Sequence, residues 1–179
     1  MNAPFDRKRL GILLLAVLLP VLATLAASGS ASPPALQALG GPVVLEISGR
    51  IGVTNGDARA RFDMAMLEGL GVTTTKTTTA WTSGQQVFDG IRMQTLLERV
   101  GAFGDHVEVV ALNDYKVEIP ASDFARWPVI LAYRMNGEAL RIRDKGPLWI
   151  VYPQDDFRAL RTKEVQGKWV WQVKEIRVK

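Results

Sequence analysis

The chain has 179 residues, 47% hydrophobic and 22% charged, which is the balance of an ordinary folded domain and excludes a disordered tail. Its formal charge is +4, and the first 27 residues hold three cations and one anion, leaving +2 for the remainder, with Lys and Arg spread among acids; this excludes a basic nucleic-acid footprint. There is no cysteine, so thiolate nucleophiles, redox pairs and sulfur metal ligands are excluded together.

Arg7, Lys8 and Arg9 stand directly ahead of an apolar run over residues 10–22, and small residues follow at 23–31. That order predicts a signal peptide over residues 1–27. The cut is expected between 25 and 32, because Thr24 with Ala26, or Gly29 with Ala31, offers the small side chains that signal peptidase reads. A spanning helix needs about 20 apolar residues, whereas this run is shorter and contains Pro20. The mature protein is therefore expected to be periplasmic, with no membrane span after cleavage. Arg7-Lys8-Arg9 approximates a twin-arginine signal only weakly, which favours export of the unfolded chain.

Residues 28–42, with Pro33, Pro34 and the Gly40-Gly41-Pro42 cluster, read as a loose leader, and one domain is expected over 43–179. Residues 43–48 read as a strand and 49–56 as a turn-rich connection. Phe62, Met64, Ala65, Met66, Leu67 and Leu70 recur near helical spacing, with Asp57 as the expected N-cap and Gly69 or Gly71 as the stop. The tract 72–79 holds six threonines and a lysine. It reads as a strand, because β-branched side chains lose rotamer freedom in a helix. A second short helix is expected over 93–100, stopped by Gly101.

Strands follow over 107–112 and 116–119, around the corner Asn113-Asp114, and over 129–134 and 138–142, around Asn136-Gly137. The Asn-Gly pair is a strong hairpin signal, since a type I′ turn needs positive φ at both central residues. Residues 148–152 and 169–178 complete the strands. Many short strands with two helices indicate a β-rich α+β fold.

Chemistry-bearing patterns are few. His106 is the only histidine, which excludes metal sites needing two imidazoles. Asp155-Asp156 lacks the further spaced oxygen ligands of a calcium loop and reads as a solvated turn. No serine sits in a nucleophile elbow and no glycine loop has phosphate-cradling spacing. Trp149, Trp169 and Trp171 are expected in strands as packing residues. Trp81 follows the threonine strand and precedes Thr82-Ser83-Gly84, so it is placed on a loop where an aromatic side chain can serve a ligand.

A family resemblance rests on five motifs in order. They are Phe88-Asp89-Gly90-Ile91-Arg92-Met93-Gln94-Thr95-Leu96-Leu97; Ala111-Leu112-Asn113-Asp114-Tyr115 with Ile119-Pro120; Asn136-Gly137-Glu138-Ala139-Leu140; Lys145-Gly146-Pro147-Leu148-Trp149; and Val170-Trp171 through Ile176 to Val178. Together they resemble the sulfite-oxidase-type molybdopterin-binding domain, over residues 43–179, and most closely its small exported versions. The resemblance implies a mixed β-rich fold with a few short helices and a pterin pocket lined by loops.

The same resemblance implies where activity is in doubt. In catalytic members a cysteine in the strand before the W-x-G or F-x-G motif ligates molybdenum, and the matching position falls at Thr77 or Thr78. A threonine hydroxyl stays protonated near neutral pH and lacks the polarisability of sulfur. The arginine of the family's G-x-P-x-R segment corresponds to Trp149, and the lysine before the C-terminal tryptophan to Val170. A charged hydrogen bond contributes about 1.5–3 kcal/mol, so losing two weakens binding of an anionic group by about a hundredfold or more. In this family the cofactor is inserted in the cytoplasm, so a loaded protein would need a folded-protein export route.

The expected reading is a non-catalytic binding or sensory module without a cofactor, serving a small-molecule ligand or a periplasmic or membrane protein partner. The alternative is an oxidoreductase that holds molybdopterin without a cysteine. Candidate ligand-binding residues are Lys76, Thr77, Thr79, Trp81, Asn113, Asp114, Tyr115, Lys145 and Trp149, with Tyr152, Asp155 and Asp156 close behind. Three segments, the loop carrying Trp81, the corner at Asn113-Asp114-Tyr115 and residues 145–149, are expected to converge on one concave surface.

Overall fold

The computed structural model describes residues 34–179, and the expected signal peptide with its cleavage region lies outside them. Ten strands and four short α-helices follow in chain order. β1 (Leu45–Gly49), β2 (Ala60–Phe62), α1 (Met64–Glu68), β3 (Thr73–Thr78), β4 (Gln85–Arg92) and α2 (Met93–Arg99) form the first half. The second half is β5 (His106–Ala111), β6 (Lys116–Pro120), α3 (Ala121–Arg126), β7 (Ile130–Met135), β8 (Glu138–Ala139), β9 (Trp149–Val151), α4 (Lys163–Gln166) and β10 (Val173–Val178). One sheet has the order β2-β1-β10-β5-β6 and the other β3-β4-β7-β8, with β9 also on β7. All pairings are antiparallel except β1 with β10, which joins the two ends of the domain in parallel. This is the β-rich α+β architecture expected.

Side-chain alternation explains the layering. In β1, Leu45 and Ile47 are fully buried while Glu46 and Ser48 face outward. The inward residues of both sheets, with Leu67, Leu96 and Phe124 from the helices, belong to one continuous apolar core. The outer face of the first sheet is laced by ion pairs instead, such as Arg59 to Glu46 at 2.8 Å and Arg177 to Glu175 and Glu108 at 2.7 and 3.0 Å.

Several expectations need correction. Phe62 belongs to β2 and not to the first helix, and the cap is Asp63, whose Oδ1 accepts the Met66 N–H at 2.9 Å. Asp57 sits in a left-handed turn at φ 48° and pairs with Arg61. The other Asp63 oxygen accepts the Gly40 and Gly41 N–H groups, and Arg99 donates to the carbonyls of Pro34 and Ala35. The segment read as a loose leader is thus tied to the domain along residues 34–41. Four α-helices form among the described residues where two were expected; α3 and α4 carry one large apolar residue each, Phe124 and Val165, so no apolar spacing repeats in them. The stretch before β10 is irregular, so Trp169 lies outside any strand and Trp171 makes only an isolated bridge to Trp149.

The turn chemistry follows expectation. Asn136 and Gly137 take φ of 52° and 82° between β7 and β8. The glycine of Phe88-Asp89-Gly90 has a packing cause: a Cβ there would press on the Leu131 carbonyl oxygen and lie 2.6 Å from the Ala132 Cα. That position lets β4 approach β7 next to an irregularity in the register.

Candidate functional site, a tryptophan-lined depression

Three chain segments build one site at the edge of the core. The first is the loop leaving β3, where the Thr79 hydroxyl accepts the Trp81 N–H at 3.0 Å and bonds the Thr82 hydroxyl at 2.8 Å. This local turn carries the Trp81 indole over three others. Ring centroids lie 5.2 Å from Trp171, 5.9 Å from Trp169 and 6.3 Å from Trp149. Edge-on and tilted contacts of this kind suit the ring quadrupoles.

The second segment is the β5–β6 corner. Asn113 Oδ1 accepts the Tyr115 N–H at 3.2 Å, and Asp114 turns the chain with φ 65°. The third runs from α4 to β10. It is fixed by the Ile150 N–H donating to the Val170 carbonyl and by Gln172, whose N–H and side-chain Nε2 donate to the carbonyls of Lys145 and Ile142.

Between these segments lies a depression of about 250 Å³ lined by Trp81, Ala111, Asn113, Tyr115, Gln166, Gly167, Trp169, Val170 and Trp171. Trp149 lies fully buried behind it, edge-on to Phe88 at 5.3 Å. The Lys145 ammonium sits 5.6 Å from the Trp149 ring centroid and 6.0 Å from that of Trp171. Of the three segments expected to share one concave surface, the Trp81 loop and the Asn113–Tyr115 corner line the depression, whereas residues 145–149 do not line it and only Lys145 and Trp149 pack beside Trp171.

Other candidates stand elsewhere. Lys76 is exposed on the outward side of β3. Thr77 is fully buried, and its hydroxyl donates to the Thr78 carbonyl and accepts the Asp155 N–H. Thr79 serves its own turn. Asp114 is paired with Lys174 at 2.7 Å, and that hydrogen bond holds its carboxyl below the usual range. The hydroxyl of buried Tyr152 donates to Asp123, which also takes Lys168 at 2.9 Å. Burial first, and the Asp123 charge second, keep that phenol protonated. Asp155 is no solvated turn: it bonds the end of β3, while Asp156 is exposed.

No charged residue lines the depression. Among the described residues there is no cluster of three potential metal ligands. The Trp149 and Trp169 Nε1 groups are buried without a partner among those residues. Gln166, Gly167, Trp169 and Trp171 were missed as lining. The available signal was the clustering of Trp169 and Trp171 within three residues of chain, although the segment carrying them is irregular.

The oxidoreductase molybdopterin-binding domain family model matches residues 53–175. The chain belongs to that family. No curated protein matches it. Among solved structures it is similar to the sulfane dehydrogenase SoxCD from Paracoccus pantotrophus, with a TM-score of 0.55 and 21% identity. That likeness covers 75% of this chain and 37% of the other, and it shows a shared fold. Within the molybdopterin-binding fold, the positions matched above to the metal-ligating cysteine are the buried, hydrogen-bonded Thr77 and its neighbour Thr78. The positions matched to cationic residues are Trp149 and Val170, both buried.

Proposed function

We propose that this chain is an exported, non-catalytic binding or sensory module built on the molybdopterin-binding fold, with the tryptophan-lined depression as its binding site. The observation that carries the reading is the lining itself: it consists of aromatic rings, apolar groups and neutral amides, with no thiolate and no cation among them. The residues present do not fit a molybdenum cofactor. Thr77 and Thr78 offer protonated hydroxyls that are already engaged, that of Thr77 with the Thr78 carbonyl and the Asp155 N–H and that of Thr78 with the Asp155 carboxylate and the Gln154 side chain. No lining cation meets a pterin phosphate. Tyr115 carries the one ionisable side chain in the lining, and no carboxylate, imidazole or ammonium lines the depression beside it to complete an acid–base pair.

The working site of such a module is periplasmic, and its partner is a small molecule or a periplasmic or membrane protein. Among the described residues no helix is long and apolar enough to cross a membrane. Family membership alone favours a second reading, a molybdopterin-dependent oxidoreductase lacking the cysteine.

Native mass spectrometry of protein recovered from the periplasm separates them. A chain beginning between residues 25 and 32, with a discrete organic mass excess and no metal, supports the module. An intact N-terminus on membrane-bound protein defeats the export claim, and a pterin with molybdenum establishes the second reading.

A further inference from the structure

The lining also narrows the chemistry of the occupant, on the premise that the depression is a binding site. We infer that it takes an uncharged, flat heteroaromatic ring whose few polar groups lie along one edge. Size sets the first limit, since about 250 Å³ admits a molecule of two or three fused rings. Aromatic surface sets the second: Trp81 is 36% exposed and Tyr115 55% exposed, so both rings offer area to a ligand.

Charge is the third limit. No cation lines the depression: Lys174 is paired with Asp114, Lys168 with Asp123, and Lys145 is held over the Trp149 and Trp171 rings outside the lining, so a carboxylate or phosphate entering here loses its hydration without gaining a lining partner. A cationic ligand meets the Lys145 ammonium already seated beside Trp149 and Trp171. The occupant is therefore neutral.

Hydrogen bonding gives the last limit. The Asn113 side-chain oxygen is taken by the Tyr115 N–H, which leaves its amide nitrogen as a donor. The Trp169 indole N–H, on a lining residue only 3% exposed, has no acceptor among the described residues. An acceptor edge is what these groups lack. A sugar of similar size carries hydroxyls around its whole rim, and most would be buried unpaired against indole. A ring with carbonyl or ring-nitrogen acceptors on one side leaves nothing unpaired.

Lumichrome, an uncharged three-ring heterocycle, is the probe, titrated into the purified protein and followed by quenching of tryptophan emission. The expected result is saturable quenching at one ligand per chain, unchanged between about 0.05 and 0.5 M salt. Tyr115→Ala and Gln166→Ala, both on solvent-reached side chains, should each weaken it by about tenfold while the circular dichroism stays native. Riboflavin 5′-phosphate should bind no tighter than riboflavin, and maltose should not compete.

Absence of saturable binding, salt-sensitive preference for the phosphate, competition by maltose, or indifference to both substitutions overturns the inference. A charged or sugar-like molecule retained in native mass spectrometry sinks this inference alone and leaves the binding module standing. If neither lumichrome nor any retained molecule is found, both fall.

Discussion

Asp155 holds Thr78 with both carboxylate oxygens, Oδ2 accepting its N–H at 2.8 Å and Oδ1 its hydroxyl at 2.7 Å. Gln154 adds side-chain donors to the Thr78 carbonyl and hydroxyl at 2.8 and 3.2 Å. The end of the threonine strand is thereby stitched to the loop after β9. One of the two positions that the family resemblance offers for a metal ligand serves here as a structural tie.

Replacing that carboxylate should cost stability in a pH-dependent way. Burial opposes ionisation of Asp155, but hydrogen bonds from the Thr78 hydroxyl and N–H and from Gln85 outweigh it and hold its pKa below the usual value. A depressed folded pKa means the contribution is complete above the unfolded value, about 3.9. It is lost as pH falls through the lower folded value. Asp155→Ala should lower stability at neutral pH by about 1–3 kcal/mol. Urea unfolding of wild type and variant should converge on acidification below about pH 4. A difference that persists at low pH would mean that the side chain acts through packing.

The two tryptophans at the site should separate by role. Trp149 is fully buried against Phe88, so Trp149→Ala leaves a large cavity and should destabilise by about 3–5 kcal/mol. Trp81 is partly exposed on a loop, so Trp81→Ala loses chiefly its ring contacts, about 1–2 kcal/mol. Thermal unfolding of both variants checks this, and equal losses would make Trp81 a core residue.

Gly90 should tolerate no side chain. A Cβ would meet the backbone of Leu131 and Ala132 in the neighbouring strand, and backbone yields less readily than a side-chain tip. Gly90→Ala is expected to cost about 1–3 kcal/mol and to lower Tm by several degrees. A neutral substitution would show that β4 can move away from β7.

Local chemistry explains which parts were legible in the sequence. The threonine tract and the Asn136-Gly137 turn declare themselves, because β-branching and positive φ are properties of the residues involved. The first helix was misread because Phe62 falls on the helical period by accident, and its pairing across from Leu45 in β1 is a tertiary fact. Asp155 looked like a turn residue because its partner Thr78 lies far away in the chain. The site was half legible: motif order placed Trp81, Asn113 and Tyr115 together. Gln166 and Gly167 carry no signal of their own and enter only because α4 packs there.

Supplying a thiol alone should not restore a metal site. Thr77→Cys and Thr78→Cys each supply the missing thiol, and each should still yield protein with far less than one molybdenum per chain when made in a host that synthesises the cofactor. Thr77 is fully buried, so a thiol there has burial against its ionisation. Thr78→Cys removes the hydroxyl bonded to Asp155, but the Thr78 N–H stays with that carboxylate, which would confront an incoming thiolate with a like charge. Neither change supplies a cation, since Trp149 and Val170 remain apolar and buried. Elemental analysis of wild type and both variants is the measurement. Near-stoichiometric molybdenum in the wild type would make the oxidoreductase reading the leading one. Near-stoichiometric metal in Thr78→Cys alone would show that the ligand was the sole defect and that the missing cations do not matter.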